Sequence, residues 1–122
     1  MSGIADGVFS EFSLSLIYLM QKIFIFKRRE CFVHNIARVH ISKDLVLEAM
    51  YILEDNGLGT VELSDRKQRP IKFMKVKADD VRENNELRLI IKDLGLNVTR
   101  VVEMLDRQED VEMITARSLH LI

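Results

Sequence analysis

"LVLEAMYILEDNGLGTVEL", Leu45 to Leu63, changes its hydrophobic rhythm half-way along. Its first part repeats apolar residues at spacings of three and four, as one face of a helix does. Its last part alternates, as a half-buried strand does. Gly57 follows the periodic run as a helix stop, and Ser42 with Asp44 supplies an N-cap and an acidic first turn. A helix over 42–56 is expected, with Leu45, Ala49, Ile52 and Leu53 facing a core and Val46 and Met50 at its margin. Beyond it, "TVEL", the turn-like "SDRKQRP" and "IKFMKVK" form a β-hairpin with Val61/Leu63 and Ile71/Phe73 alternating and Pro70 at the exit of the tip.

Upstream lies "FSLSLIYLMQKIFIFKRRE", Phe12 to Glu30. A membrane span needs about 20 mainly apolar residues, and Glu11, Gln21 and Lys22 interrupt this run. No small-residue cleavage site follows it either. Phe12, Leu16, Ile17, Leu19, Met20, Ile23 and Phe24 share one broad helical face, which predicts a core helix. Leu14, Tyr18 and Ile25 fall on the polar side, where they cover a neighbouring element, the C-terminal segment included, or make a contact between copies. "IFIF" at 23–26 either finishes the helix or starts a strand. Over 29–39, Phe32, Val33, Ile36 and Ala37 stand at helical spacing, which predicts a short second helix. Residues 1–8 read as a loose N-terminus.

Three helices followed by a hairpin resembles the winged helix-turn-helix superfamily, over residues 9–77 and through the pattern Leu45–Leu63 above all. The resemblance is to a fold and singles out no family within it, and this fold serves many unrelated functions. The expected class is α+β and mainly helical: a winged helix-turn-helix domain followed by a C-terminal helical pair.

In that remainder, 78–122, "ELRLIIKDLGLNVTRVVEMLDRQED" predicts a helix ending at Gly95 and another capped by Asn97, with Val98, Val101, Val102 and Leu105 as inner stripe. Two arrangements are open. One is an accessory pair that covers or dimerises the first domain; the other is a second helix-turn-helix unit with "VEMITARSLHLI" as a reduced wing. The first is the simpler.

The composition sets limits. Of 122 residues, 48% are apolar, which excludes a disordered tail. A formal net charge of −1 gives no global attraction to nucleic acid, so any such attraction must be local. The single cysteine excludes an internal disulfide and fits a reducing, intracellular setting.

Little in the chain points to catalysis. Cys31 and His34, read on one helical face, make half a metal site, but structural zinc takes four such ligands and only His40 and His120 remain. As nucleophile and base the same pair lacks an orienting partner. Gly57 and Gly59 punctuate a helix end and make no phosphate loop. Glu54/Asp55, Asp79/Asp80 and Glu109/Asp110 read as solvated surface, and the sequon at Asn97–Thr99 has no secretion signal with it. The expectation is a non-enzyme without metal or cofactor, with Cys31 buried beside a surface His34.

Charge says more. Ser64–Lys77 holds six basic residues, Arg66, Lys67, Arg69, Lys72, Lys75 and Lys77, against Asp65 alone. Lys27, Arg28 and Arg29 make a second basic group, whereas 78–112 is acidic. The first functional reading is a DNA-binding regulator, with backbone contacts from Lys27, Arg28, Arg29, Lys43, Arg66, Lys67, Arg69 and Lys72. Asp44, Glu48 and Asp55 on the exposed face of the third helix oppose base reading there, and Thr99, Arg100 and Arg107 are a weaker second reader. The other reading is a protein-interaction subunit or adaptor, using Leu47 and Tyr51 ringed by carboxylates together with Leu14 and Tyr18. Both admit a homodimer.

Overall fold

A computed structural model describes residues 12–37, 42–66 and 68–120, without the side chains of 112 and 115–120. The expected loose N-terminus (1–8), the end of the predicted second helix, His40 and Lys67 lie outside those residues. The described elements are α1 (Leu14–Ile25), β1 (Glu30–Phe32), α2 (Val33–Ile36), α3 (Lys43–Asp55), β2 (Gly59–Leu63), β3 (Pro70–Lys75), α4 (Ala78–Glu83), α5 (Asn85–Asp93) and α6 (Val98–His120). They form a mixed α+β, mainly helical structure with a three-stranded antiparallel sheet in the order β1-β3-β2.

The apolar face of α1 is the one its spacing predicts: Leu16, Leu19, Met20, Ile23 and Phe24 are buried. Ser13 caps it, its hydroxyl accepting from the Leu16 amide at 3.3 Å. The "IFIF" ambiguity resolves at Ile25, where the helix stops. The predicted second helix needs correcting. Its first residues extend into β1, and among the described residues of this stretch only Val33–Ile36 is helical. Glu30-Cys31-Phe32 is too short for its own period to decide, and β3 offers it a backbone ladder, with Glu30 opposite Met74 and Cys31 opposite Phe73.

The buried face of α3 is turned by about one position from the expected one. Val46, Ala49, Met50 and Leu53 are buried, while Leu45 and Ile52 lie at its margin. Both α1 and β2 pack on this helix, so its face centres between them. Ser42 sits at the N-cap without a side-chain bond, and Gly57, at φ 78°, turns the chain out of the helix. The Glu54 carboxylate then accepts from the Val61 amide at 2.7 Å, which ties the helix end to β2. Gly59 leaves room for the Phe73 ring; a Cβ there would collide with that ring and with the Met74 carbonyl.

In the hairpin, Val61 and Phe73 face the core as predicted, but Leu63 and Ile71 are exposed. A register irregularity at Glu62/Leu63 and the outward reach of the tip carry both beyond the helices. Downstream, Gly95 at φ 83° separates α5 from α6, and the Asn97 side chain accepts from the Arg100 amide at 3.0 Å. Val101 and Leu105 are buried with α1 in one continuous core, and Val98 and Val102 pack against it. The reduced second wing is overturned: Val111 to His120 continues α6 as helix. No glycine or proline interrupts that segment to start a hairpin. The short α4 is a further element that the spacing of apolar residues does not predict.

Lys75 shares the core face of the sheet with Phe73 and is 1% exposed. Its ammonium donates to the Phe24 carbonyl at 3.2 Å and to the Phe26 carbonyl at 2.8 Å, closing the end of α1. Burial lowers this amine to about 8 from its ordinary 10.5, against the smaller opposing effect of Cys31. Between those values the unfolded chain holds a proton that the folded chain has released, so stability rises with pH. Cys31, raised by burial from 9.0 to about 11, acts in the opposite sense above pH 9. Urea unfolding between pH 8 and pH 9 is therefore expected to show stability rising by roughly 1 kcal/mol. Lys75→Met should abolish the rise; a rise that persists in the variant would place its origin elsewhere.

Candidate nucleic-acid and protein interfaces

The sheet separates the basic residues into three kinds. Lys75, although part of the basic run of the hairpin, points inward. Lys72 stands on the outer face between two acids, 3.1 Å from the Glu30 carboxylate and 3.4 Å from that of Glu62. The hydrogen bond to Glu30, with Glu62 adding, raises the Lys72 amine above its ordinary 10.5. It also lies 5.6 Å from the Phe32 ring centroid. Two carboxylates on one ammonium leave this part of the sheet without net positive charge. Arg29 is tied to the sheet as well: its carbonyl accepts from the Lys75 amide and its Nε donates to the Lys75 carbonyl at 2.9 Å.

The third kind is exposed: Lys27 and Arg28 in the segment before β1, Lys43 at the start of α3, Arg66 and Arg69 at the hairpin tip, and Lys77 between β3 and α4. The tip is ordered by its own backbone. The Ser64 amide donates to the Arg69 carbonyl at 2.8 Å, and Gln68, at φ 52°, donates to the Ser64 carbonyl at 3.1 Å. Antiparallel register decides whether the basic groups meet. Arg29 pairs at Lys75, the last residue of β3, whereas the tip precedes Pro70, its first. At about 3.3 Å per residue, roughly 17 Å of strand separates them. Lys27 and Arg28 therefore lie at the opposite end of the sheet from Arg66 and Arg69, and the two groups are not one patch.

The protein-contact residues divide similarly. Leu14 and Tyr18 are exposed on α1, with the Lys22 ammonium over the Tyr18 ring at 5.4 Å. Tyr51 is 39% exposed, but Leu47 packs against the core margin, so the pair expected on α3 is reduced to the tyrosine. Thr99, Arg100 and Arg107 are exposed on α6. Arg82 bridges Asp79 and Asp106, and Arg88 donates to the Val81 carbonyl at 2.9 Å, so these two bases hold α4 in place.

Cys31 and His34 do not share a helical face. The cysteine is on β1 and fully buried, its thiol 3.6 Å from the Ile23 and Arg28 carbonyls. His34 is exposed, 5.8 Å from the Phe32 ring. No group of three or more His, Cys, Asp or Glu suited to a metal occurs among the described residues. Sequence reasoning missed an open groove of about 480 Å³ along β1, lined by Phe26, Arg28, Glu30, Phe32, His34 and Asn35. The inward turn of Lys75 was legible, because it shares the parity of Val61 and Phe73 through the paired strands.

No helix among the described residues is long and apolar enough to cross a membrane. Comparison of the chain with protein-family models, curated proteins and solved structures finds no match.

The burial that raises the Cys31 thiol also shields it. A disulfide reagent at pH 8 is expected to leave Cys31 unmodified in the folded protein and to titrate one thiol in urea. Prompt reaction under native conditions would contradict a core cysteine.

Proposed function

We propose that the chain is a winged-helix protein that binds duplex DNA through the tip of its hairpin. Two features support the fold part of this reading: three helices lead into the β2–β3 hairpin, and β1, between the first two helices, joins its sheet. The observation that carries the functional part is the state of the hairpin arginines. Arg66 and Arg69 are exposed, and no ion pair among the described residues engages either. An arginine in that state gains a phosphate without giving up an internal partner, and its binding releases condensed counterions.

The contact is to the backbone. On α3 only Lys43 opposes Asp44, Glu48 and Asp55 on the exposed surface, so this helix repels phosphate along most of its length. Sequence selectivity from it is therefore weak. A protein contact centred on α3 is the less supported alternative, since Leu47 packs inward.

The test compares three proteins on one random-sequence duplex across a salt series. Arg66→Ala with Arg69→Ala is expected to weaken binding and to reduce the salt slope by about 1 for each phosphate left without its arginine. Lys72→Ala, which removes a cation already shared by two carboxylates, should leave the slope unchanged. Equal binding by the wild type and the double variant would remove the hairpin tip from the interface.

A further inference from the structure

We propose that two copies of this chain associate by reciprocal exchange, the end of each α6 lying antiparallel along the exposed stripe of the other copy's α1. The end of α6 leaves the body of the chain that carries it. Val101, Leu105 and Gln108 of α6 are buried at spacings of four and three, and the Glu109 carboxylate accepts from the Ala78 amide at 3.0 Å. Just beyond, Val111 is 62% exposed and Met113 56% exposed. Two residues apart on a helix, they point roughly 160° away from each other. A helix with apolar groups open on opposite sides is no longer lying on a surface, and Ile114 is exposed as well. A segment this short has little helical stability alone in water.

The same chain carries a vacant acceptor. Leu14, Tyr18 and Ile25 are all exposed on α1, with Leu14 at 84%. At 1.5 Å per residue the stripe from Leu14 to Ile25 is about 16 Å long, and α6 from 110 to 120 about 15 Å. A chain's own tail cannot reach its own stripe. The Gln21 side chain donates to the Leu94 carbonyl near the start of α6, and that of Gln108 donates to the Phe26 carbonyl at 3.0 Å. The two helices thus run in the same general sense, and the tail passes the end of α1 and moves away from Leu14. A two-fold axis beside this exit brings the other copy's Ile25 to the base of the tail, with its α1 running antiparallel. Each copy then donates and accepts once, and the assembly closes at two.

Charge fits that orientation. Asp110, exposed at the base of the tail, meets the end of the stripe flanked by Lys27 and Arg28, both exposed. This assigns a role to the basic group that lies away from the hairpin tip, and it does not depend on DNA binding.

Sedimentation equilibrium without DNA tests the exchange. The wild-type protein is expected at twice the chain mass. A stripe variant (Leu14→Glu, Tyr18→Glu) and a tail variant (Val111→Asp, Ile114→Asp) should each dissociate at least tenfold more readily. All four positions are exposed, and protection of the Cys31 thiol verifies that each variant is folded. Mixed one to one, the two variants retain one intact tail–stripe contact, so they should pair more tightly than either alone. Should a variant fail to fold, Lys27→Glu is expected to weaken association and Asp110→Lys to restore it. A monomeric wild type, a stripe variant that dimerises like the wild type, or a mixture no tighter than its parts would each overturn the proposal.

Discussion

A single buried ammonium, that of Lys75, connects the helical and sheet parts of this chain. It closes the last carbonyls of α1 from a strand about fifty residues later in sequence, and the Phe26 carbonyl it holds also accepts from Gln108 of α6. The C-terminal end of a helix carries partial negative charge, so a cation there is favoured even where burial opposes it. Helix end, hairpin and C-terminal helix thus meet at one polar point inside an apolar core. An apolar residue at 75 would fill the space and leave the Phe24 carbonyl unpaired; the cost of an unmet buried carbonyl is what makes the lysine specific.

The consequence for function is a division among cations that look alike in sequence. Lys75 holds the core, Lys72 is shared between Glu30 and Glu62, and Arg29 is bound to the end of β3. Exposed bases remain at the hairpin tip, Arg66 and Arg69, and near the opposite end of the sheet, Lys27 and Arg28 before β1 and Lys77 just after β3, with Lys43 at the start of α3. With Lys72 and Lys75 engaged within the chain, the hairpin offers fewer free cations than its sequence suggests. The DNA reading therefore rests on Arg66 and Arg69, and the copy-to-copy reading takes up Lys27 and Arg28.

Much of the framework was legible because it depends on short-range periodicity. The faces of α1 and α6, the stop at Gly57, the hairpin and the break at Gly95 follow from spacing and from residues tolerant of positive φ. What was not legible depends on partners distant in sequence. Glu30–Phe32 becomes a strand because β3 lies beside it. The face of α3 turns because two elements pack on it at once. The removal of Lys72 from the basic surface needs Glu30 and Glu62 in register, which no local pattern reveals. The departure of α6 from the body was hidden for another reason: Val111, Met113 and Ile114 have the composition of a core helix, and only their exposure on opposite sides distinguishes them.

The claim that the hairpin tip is the DNA surface is tested most directly by backbone amide chemical shifts during titration with a short random-sequence duplex. The prediction is that shifts gather at Ser64–Arg69, extend to Lys43, and leave Lys27 and Arg28 unmoved. Shifts centred on Lys27 and Arg28, or none anywhere at low salt, would contradict it.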